Sequence, residues 1–319
     1  SWVAAALLAV AYLGPLWRQA RAFDLHLPRA AADVAAHDLS SPVGVLSQAA
    51  VAAALALEAG RIREDRRAFA FGASKAWAAP EELYVLVIGE SARPDHFTMG
   101  GYARDTTPRL AALRNLVFLR DVLTTAPSTS VAVPSLLSLA PVDDWPALLR
   151  QRSVVSAFAE AGLETAWLST QEVSPWGGVI PEVAREAGRV RYLDRAHDGA
   201  LVEEVRRVLA APAGPRRAFL VLHTRGSHFE FKNRYPPRLR RWPDQGGGRA
   251  RDLVNAYNNS LLHTDEVLSD LVALLEARGG PALLVYASDH GENLLDDGRG
   301  LLGHAVGNRY DLPTAAFVW

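Results

Sequence analysis

The segment that most restricts how this chain can fold is Leu283-Leu284-Val285-Tyr286-Ala287-Ser288-Asp289-His290-Gly291-Glu292. Its unbroken apolar run, bounded by Gly280-Pro281 and by a polar turn, predicts a strand buried on both faces, as in a parallel sheet. Such a strand needs helices above and below it. The expected class is therefore α/β, with a central, mostly parallel sheet flanked by helices. Ligands in open α/β sheets bind beyond the carboxyl ends of the strands. Asp289 and His290 stand at that end, where a carboxylate and an imidazole can reach one cation together. A helix-capping Asp beside a solvated His is the plainer alternative.

The same arrangement recurs upstream. Tyr84 to Ile88 is a second buried run, and it ends in Gly89-Glu90-Ser91, which places Glu90 at a strand end and Ser91 as a cap for the next turn of chain. A short helix is expected from Thr106-Thr107-Pro108 to Arg114, and a strand from Leu116 to Leu123. Next come the hydroxyls of Thr124-Thr125-Ala126-Pro127-Ser128-Thr129-Ser130, just before the apolar stretch Val131 to Leu139. Hydroxyls there serve as an N-cap, or as a nucleophile where helix N–H groups attract a phosphate. Helices are then expected over Pro146 to Ala161, Gly199 to Ala210 and Arg249 to Arg278, with strands over Glu164 to Leu168 and Ala218 to Leu222. The last of these strands exits into His223-Thr224-Arg225-Gly226-Ser227-His228, a further polar strand end. The long loop after it, Phe229 to Gly248, has the length of a functional loop.

With 34 basic and 35 acidic residues the net charge is −1, so the chain carries no nucleic-acid footprint. The absence of cysteine excludes disulfides, thiolate nucleophiles and thiolate metal sites. Ser1 to Trp17 is uncharged and carries Trp2, Tyr12 and Trp17, which fits the end of a membrane span of about 17–25 residues. The expected organisation is a last membrane helix in 1–22, a helical connector at the membrane surface in 23–80, and a catalytic domain in 81–319.

Glu90, Thr129, Asp289 and His290 supply two carboxylates, a hydroxyl and an imidazole, and one cation can bind all four. Oxygen and nitrogen donors without thiolate suit Zn²⁺ first, with Mn²⁺ or Mg²⁺ as alternatives. A metal beside Thr129 would make its hydroxyl a nucleophile at neutral pH. His228 and His304 are candidates to hold or protonate a phosphate, against structural roles for each histidine taken alone.

The blocks GESARPDHFTMGGYARDTTPRL, the Ser128-Thr129 stretch running to VAVPS, HTRGSHFEFKNRYP, AYNNSLLHTDEVL and SDHGENL occur in an order that resembles the phosphoethanolamine transferases. These are bacterial inner-membrane enzymes of the alkaline phosphatase and sulfatase superfamily with a periplasmic catalytic domain. The resemblance runs from about Leu83 to Trp319. It implies Glu90, Asp289 and His290 as zinc ligands, Thr129 as nucleophile and fourth ligand, and His228 and His304 as phosphoryl contacts. It also implies a phosphatidylethanolamine donor, a threonine-linked intermediate, and an envelope glycan acceptor such as lipid A, lipopolysaccharide core or a periplasmic glucan.

Departures are visible. Thr125 and Ser135 stand where lipid A-modifying relatives carry a cysteine pair, so a disulfide-stapled subtype is excluded. His304 lies slightly further from Asp289 than in those relatives, and a lysine expected after the Trp167 strand is replaced near Trp176-Gly177. A phosphoglycerol transferase or phosphodiesterase of the same superfamily, and an inactive membrane-bound binding protein, are the alternatives. The chain lacks the C/S-x-P-x-R motif a sulfatase activity requires.

Overall fold

A computed structural model describes residues 60–76, 80–141, 143–172, 178–193, 196–211, 214, 216–296 and 298–319. The expected membrane helix and most of the connector lie outside them, as do Trp176 and Gly177. Among the described residues no helix is long and apolar enough to cross a membrane.

The chain divides into two units, residues 1–69 with 143–151, and residues 70–142 with 152–319. The labelled helices are, in chain order, α1 (Pro108–Ala111), α2 (Thr129–Leu136), α3 (Trp145–Arg150), α4 (Val154–Glu160), α5 (Ile180–Ala184), α6 (Gly199–Ala210) and α7 (Arg249–Arg278). The first unit shows helical residues 60–68 and helix α3, which is capped by Asp144 through the Ala147 N–H at 3.0 Å.

The second unit is built on a 7-stranded sheet in the order β2-β9-β6-β1-β5-β3-β4. Its strands are β1 (Glu82–Gly89), β2 (Val117–Leu119), β3 (Glu164–Ser169), β4 (Arg189–Tyr192), β5 (Arg217–His223), β6 (Ala282–Ser288) and β9 (Ala316–Val318). Strands β6, β1, β5, β3 and β4 run parallel; β9 is antiparallel to both β2 and β6. A separate pair, β7 (Asn293–Leu294) and β8 (Leu302–Gly303), comes after β6.

Side chains alternate across each strand, so the sheet has two apolar faces. Leu83, Val85 and Val87 of β1 pack on one side with Leu220 of β5 and with Leu261, Leu268 and Val272 of α7. Ile88 of β1 packs on the other with Phe219, Val221 and Trp167, under Val133 of α2 and Val155 of α4. This double burial is why the central strands read as continuous apolar runs.

Two expectations need correction, and a third gains detail. The helix expected over Pro146 to Ala161 is two helices, α3 and α4, because Gln151 turns extended (ψ 151°) and the Ser153 hydroxyl caps a new start through the Val155 N–H at 3.3 Å. The strand expected over Leu116 to Leu123 is only Val117–Leu119, since β9 offers a short partner and Val117 and Leu119 face solvent. The loop Phe229 to Gly248 carries two 3-10 turns and is pinned by α7, where Asn259 Oδ1 accepts the N–H groups of Arg241 and Trp242 at 3.0 Å.

Candidate active site

The register of the sheet builds the site. Gly89 of β1 stands opposite Ser288 of β6, so the next residues, Glu90 and Asp289, leave adjacent strand ends side by side. Strand β5 flanks β1 on its other edge, and Gly226 in the turn beyond it comes so close that an added Cβ would sit 2.9 Å from the Glu90 carbonyl oxygen. Only glycine fits there, with φ at +43°. The adjoining Ser227 N–H donates to that same carbonyl at 3.0 Å.

Helix α2 brings Thr129 over these strand ends. Ser128 is its N-cap residue in extended backbone (φ −148°), yet the Ser128 side chain caps nothing. The Thr129 hydroxyl instead turns inward, 3.3 Å from Glu90 Oε2 and 3.2 Å from His290 Nε2. His290 Nε2 lies 3.4 Å from both Glu90 Oε1 and Asp289 Oδ2. One ligand atom each from Glu90, Asp289 and His290 lies within 4.8 Å of the others, and all three residues are buried. The four residues singled out in the sequence therefore meet at one point.

Two buried carboxylates beside each other repel, and their fields show in the titration of the cluster. Burial and the Glu90 charge push the Asp289 carboxyl upward. Burial alone would lower His290, but the Asp289 and Glu90 carboxylates outweigh it and lift it to about 9. Asp289 Oδ2 has no hydrogen-bond donor although it is buried. A concentration of negative charge, an orphaned oxygen and an imidazole nitrogen is a donor set that fits a divalent cation.

His304 joins the edge of this cluster, with its ring centroid 3.9 Å from that of His290 and its Nδ1 3.0 Å from Glu292 Oε2. Glu292, His290 and His304 form a second group whose ligand atoms lie within 4.8 Å of each other. His228 does not join it: the residue is half-buried in the turn after β5, and its hydrogen bonds run through its main chain, to Arg225 and from Arg234.

Three further residues belong to the site. Ser91, expected as a cap, is at φ +56°; its N–H donates to Asp289 Oδ1 at 3.1 Å and its hydroxyl to Glu90 Oε1 at 2.8 Å. Gln171, just past β3, donates from Nε2 to Glu90 Oε2 at 2.8 Å. Glu292 anchors His304. The rule that selected Glu90, a polar residue at a parallel strand's carboxyl end, also selects Gln171. Ser91 and Glu292 carried no signal beyond adjacency to Glu90 and His290.

Residues 82–315 match the protein family described as Sulfatase. The chain belongs to the sulfatase family. Within that family its similarity runs to phosphoethanolamine transferases. It is 30% identical over 237 residues to phosphoethanolamine transferase EptC of Escherichia coli, a match covering 66% of this chain and 40% of that protein. It thus matches less than half the length of that curated relative. The crystal structure of the C-terminal periplasmic domain of EptC from Escherichia coli in complex with Zn superposes with a TM-score of 0.70 at 25% identity, covering 77% of this chain and 74% of that one. The integral membrane protein lipooligosaccharide phosphoethanolamine transferase A from Neisseria meningitidis superposes with a TM-score of 0.67 at 26% identity, over 77% of this chain and 49% of that one. The sheet described above is thus the sulfatase-like α/β core.

Proposed function

We propose that the protein transfers phosphoethanolamine from phosphatidylethanolamine to a hydroxyl or phosphate of an envelope glycan, by way of a phosphoethanolamine ester on Thr129. The observation that carries this reading is the Thr129 hydroxyl, held at a helix N-terminus within 3.3 Å of Glu90 and His290. Glu90, Thr129, Asp289 and His290 would hold the metal, Zn²⁺ first among candidates. When bound, the cation lowers the hydroxyl's pKa and offsets negative charge on the phosphoryl oxygens.

In the first step the Thr129 hydroxyl gives up its proton and its oxygen bonds to phosphorus, the bond from phosphorus to the diacylglycerol oxygen breaks, and that oxygen takes up a proton as it leaves. In the second step the acceptor oxygen gives up its proton and bonds to phosphorus, the bond to Thr129 breaks, and the Thr129 oxygen takes a proton back. His304, at the cluster's edge and partly exposed, carries these protons. Backbone N–H groups in the first turn of α2 favour the phosphoryl oxygens electrostatically. A lipid donor places the work at a membrane, and the periplasmic face of the bacterial inner membrane is the location that suits an envelope acceptor.

The test is incubation of the zinc-loaded protein with headgroup-labelled phosphatidylethanolamine. Diacylglycerol release and a labelled Thr129 peptide by mass spectrometry are expected, and Thr129→Ala loses both. Label retained on the Thr129→Ala protein would refute the mechanism. Label transferred only from phosphatidylglycerol would reassign the donor.

A further inference from the structure

Glu292 has 0% of its surface exposed and lies in the turn just beyond His290. A buried carboxylate needs donors. Its Oε2 accepts His304 Nδ1–H at 3.0 Å and is 3.2 Å from the Ser91 hydroxyl, while Oε1 has no partner. The Ser91 hydroxyl has one proton for two carboxylates and makes its shorter contact, 2.8 Å, with Glu90. The neighbouring Arg93 guanidinium donates to the Glu292 main-chain carbonyl at 3.1 Å. The His304 ring is thus the nitrogen donor that Glu292 holds.

The geometry on the His304 side is complementary. A carboxylate only accepts, so Nδ1 carries the proton and Nε2 is the nitrogen left to meet a substrate. The ring is tilted 37° against His290, whose Nε2 touches Thr129 Oγ1, so His304 is held beside the nucleophile. Its side chain keeps 27% of its surface exposed, whereas that of Glu292 keeps none. One member of the pair is fixed in the protein and the other is open to a ligand.

We propose that Glu292 is a positioning residue for phosphoryl transfer: it holds the His304 ring so that Nε2 faces the phosphoryl group on Thr129. The assignment rests on the transfer reading above. Glu292 acts through His304; the Ser91 hydroxyl, whose proton goes to Glu90, lies 3.2 Å from the same Glu292 oxygen and sets the two carboxylates side by side.

The experiment compares His304→Ala, Glu292→Ala, Glu292→Gln and the double alanine variant in the zinc-loaded full chain. His304→Ala and Glu292→Ala are each expected to lower kcat by about a hundredfold with little change in KM. The double variant should fall within about twofold of His304→Ala, because neighbours acting as one unit are not additive. Glu292→Gln retains an oxygen acceptor for Nδ1–H and should recover most of the loss. A further tenfold loss in the double variant, a Gln variant as poor as Ala, or loss of zinc from Glu292→Ala would each overturn the proposal, the last by making Glu292 a ligand. Nitrogen NMR of His304 decides the orientation independently of turnover. The Nδ1-protonated signal should be present in the parent protein and lost in Glu292→Ala, and an unchanged signal overturns the pairing. A parent protein that releases no diacylglycerol would sink the transfer reading, while the NMR result would still judge the pairing.

Discussion

Gln171 Nε2 donates to Glu90 Oε2 at 2.8 Å, linking the end of β3 to the end of β1 across the intervening β5. The same oxygen is 3.3 Å from the Thr129 hydroxyl. An amide in that place fixes the rotation of the carboxylate proposed as a metal ligand. Gln171→Ala should weaken zinc binding by about ten- to a hundredfold, the usual range for partners of metal ligands. Competition with a chromophoric chelator measures it; unchanged affinity would mean that Ser91 alone fixes Glu90.

Asp198 is buried and accepts the N–H groups of Arg225 and Gly226, each at 2.8 Å, as well as the Thr170 hydroxyl. It thereby shapes the turn that presents Gly226 to Glu90 and carries His228. Asp198→Ala strands those donors, at about 1–3 kcal/mol for each buried group left unsatisfied. Thermal unfolding should shift to lower temperature, and turnover should fall with it.

Gly291 separates His290 from Glu292, and a Cβ there would lie 2.0 Å from the Tyr310 carbonyl oxygen and 2.8 Å from that of Pro313. Main chain on both sides cannot move aside cheaply. Gly291→Ala is expected to cost about 1–3 kcal/mol, as overpacking does, and to weaken metal binding through the displaced His290. A variant with parental melting temperature and zinc affinity would contradict this.

The pH dependence of stability has a source outside the candidate metal site. Asp265 on α7 accepts the N–H groups of Arg109 and Leu110 at 3.1 and 2.8 Å, but burial dominates and pushes its carboxyl up to about 6. Ionising it is therefore harder in the folded protein than in the unfolded chain. Its contribution is full below about pH 4 and is lost as pH rises through the folded value. Melting temperatures across that window should show the decline in the parent and a flatter profile in Asp265→Asn.

How much of this is readable in the chain depends on burial. Strands β1, β3, β5 and β6 announce themselves because both faces are covered, and long α7 and amphipathic α6 match their expected limits. Strand β4 carries no such signal because it is a short edge strand, Arg189-Val190-Arg191-Tyr192, whose arginines reach out to the buried carboxylate of Glu204. Glu90, Thr129, Asp289 and His290 are legible from strand ends, a helix start and family-like motifs. Gln171 also stands at a strand end, but its tie to Glu90 depends on β3 lying one strand beyond β5, which only the sheet order shows. Ser91 reads as a cap in sequence, and only its positive φ turns the hydroxyl towards the carboxylates.

The placement of β9 has a consequence for synthesis. Residues 316–318 slot between β6 and β2, although they come after both by sequence. A nascent chain emerging from the ribosome therefore exposes one flank of β6, beside the candidate site, until residues 316–318 are made. Premature termination there should yield an aggregation-prone product, not merely a shorter enzyme.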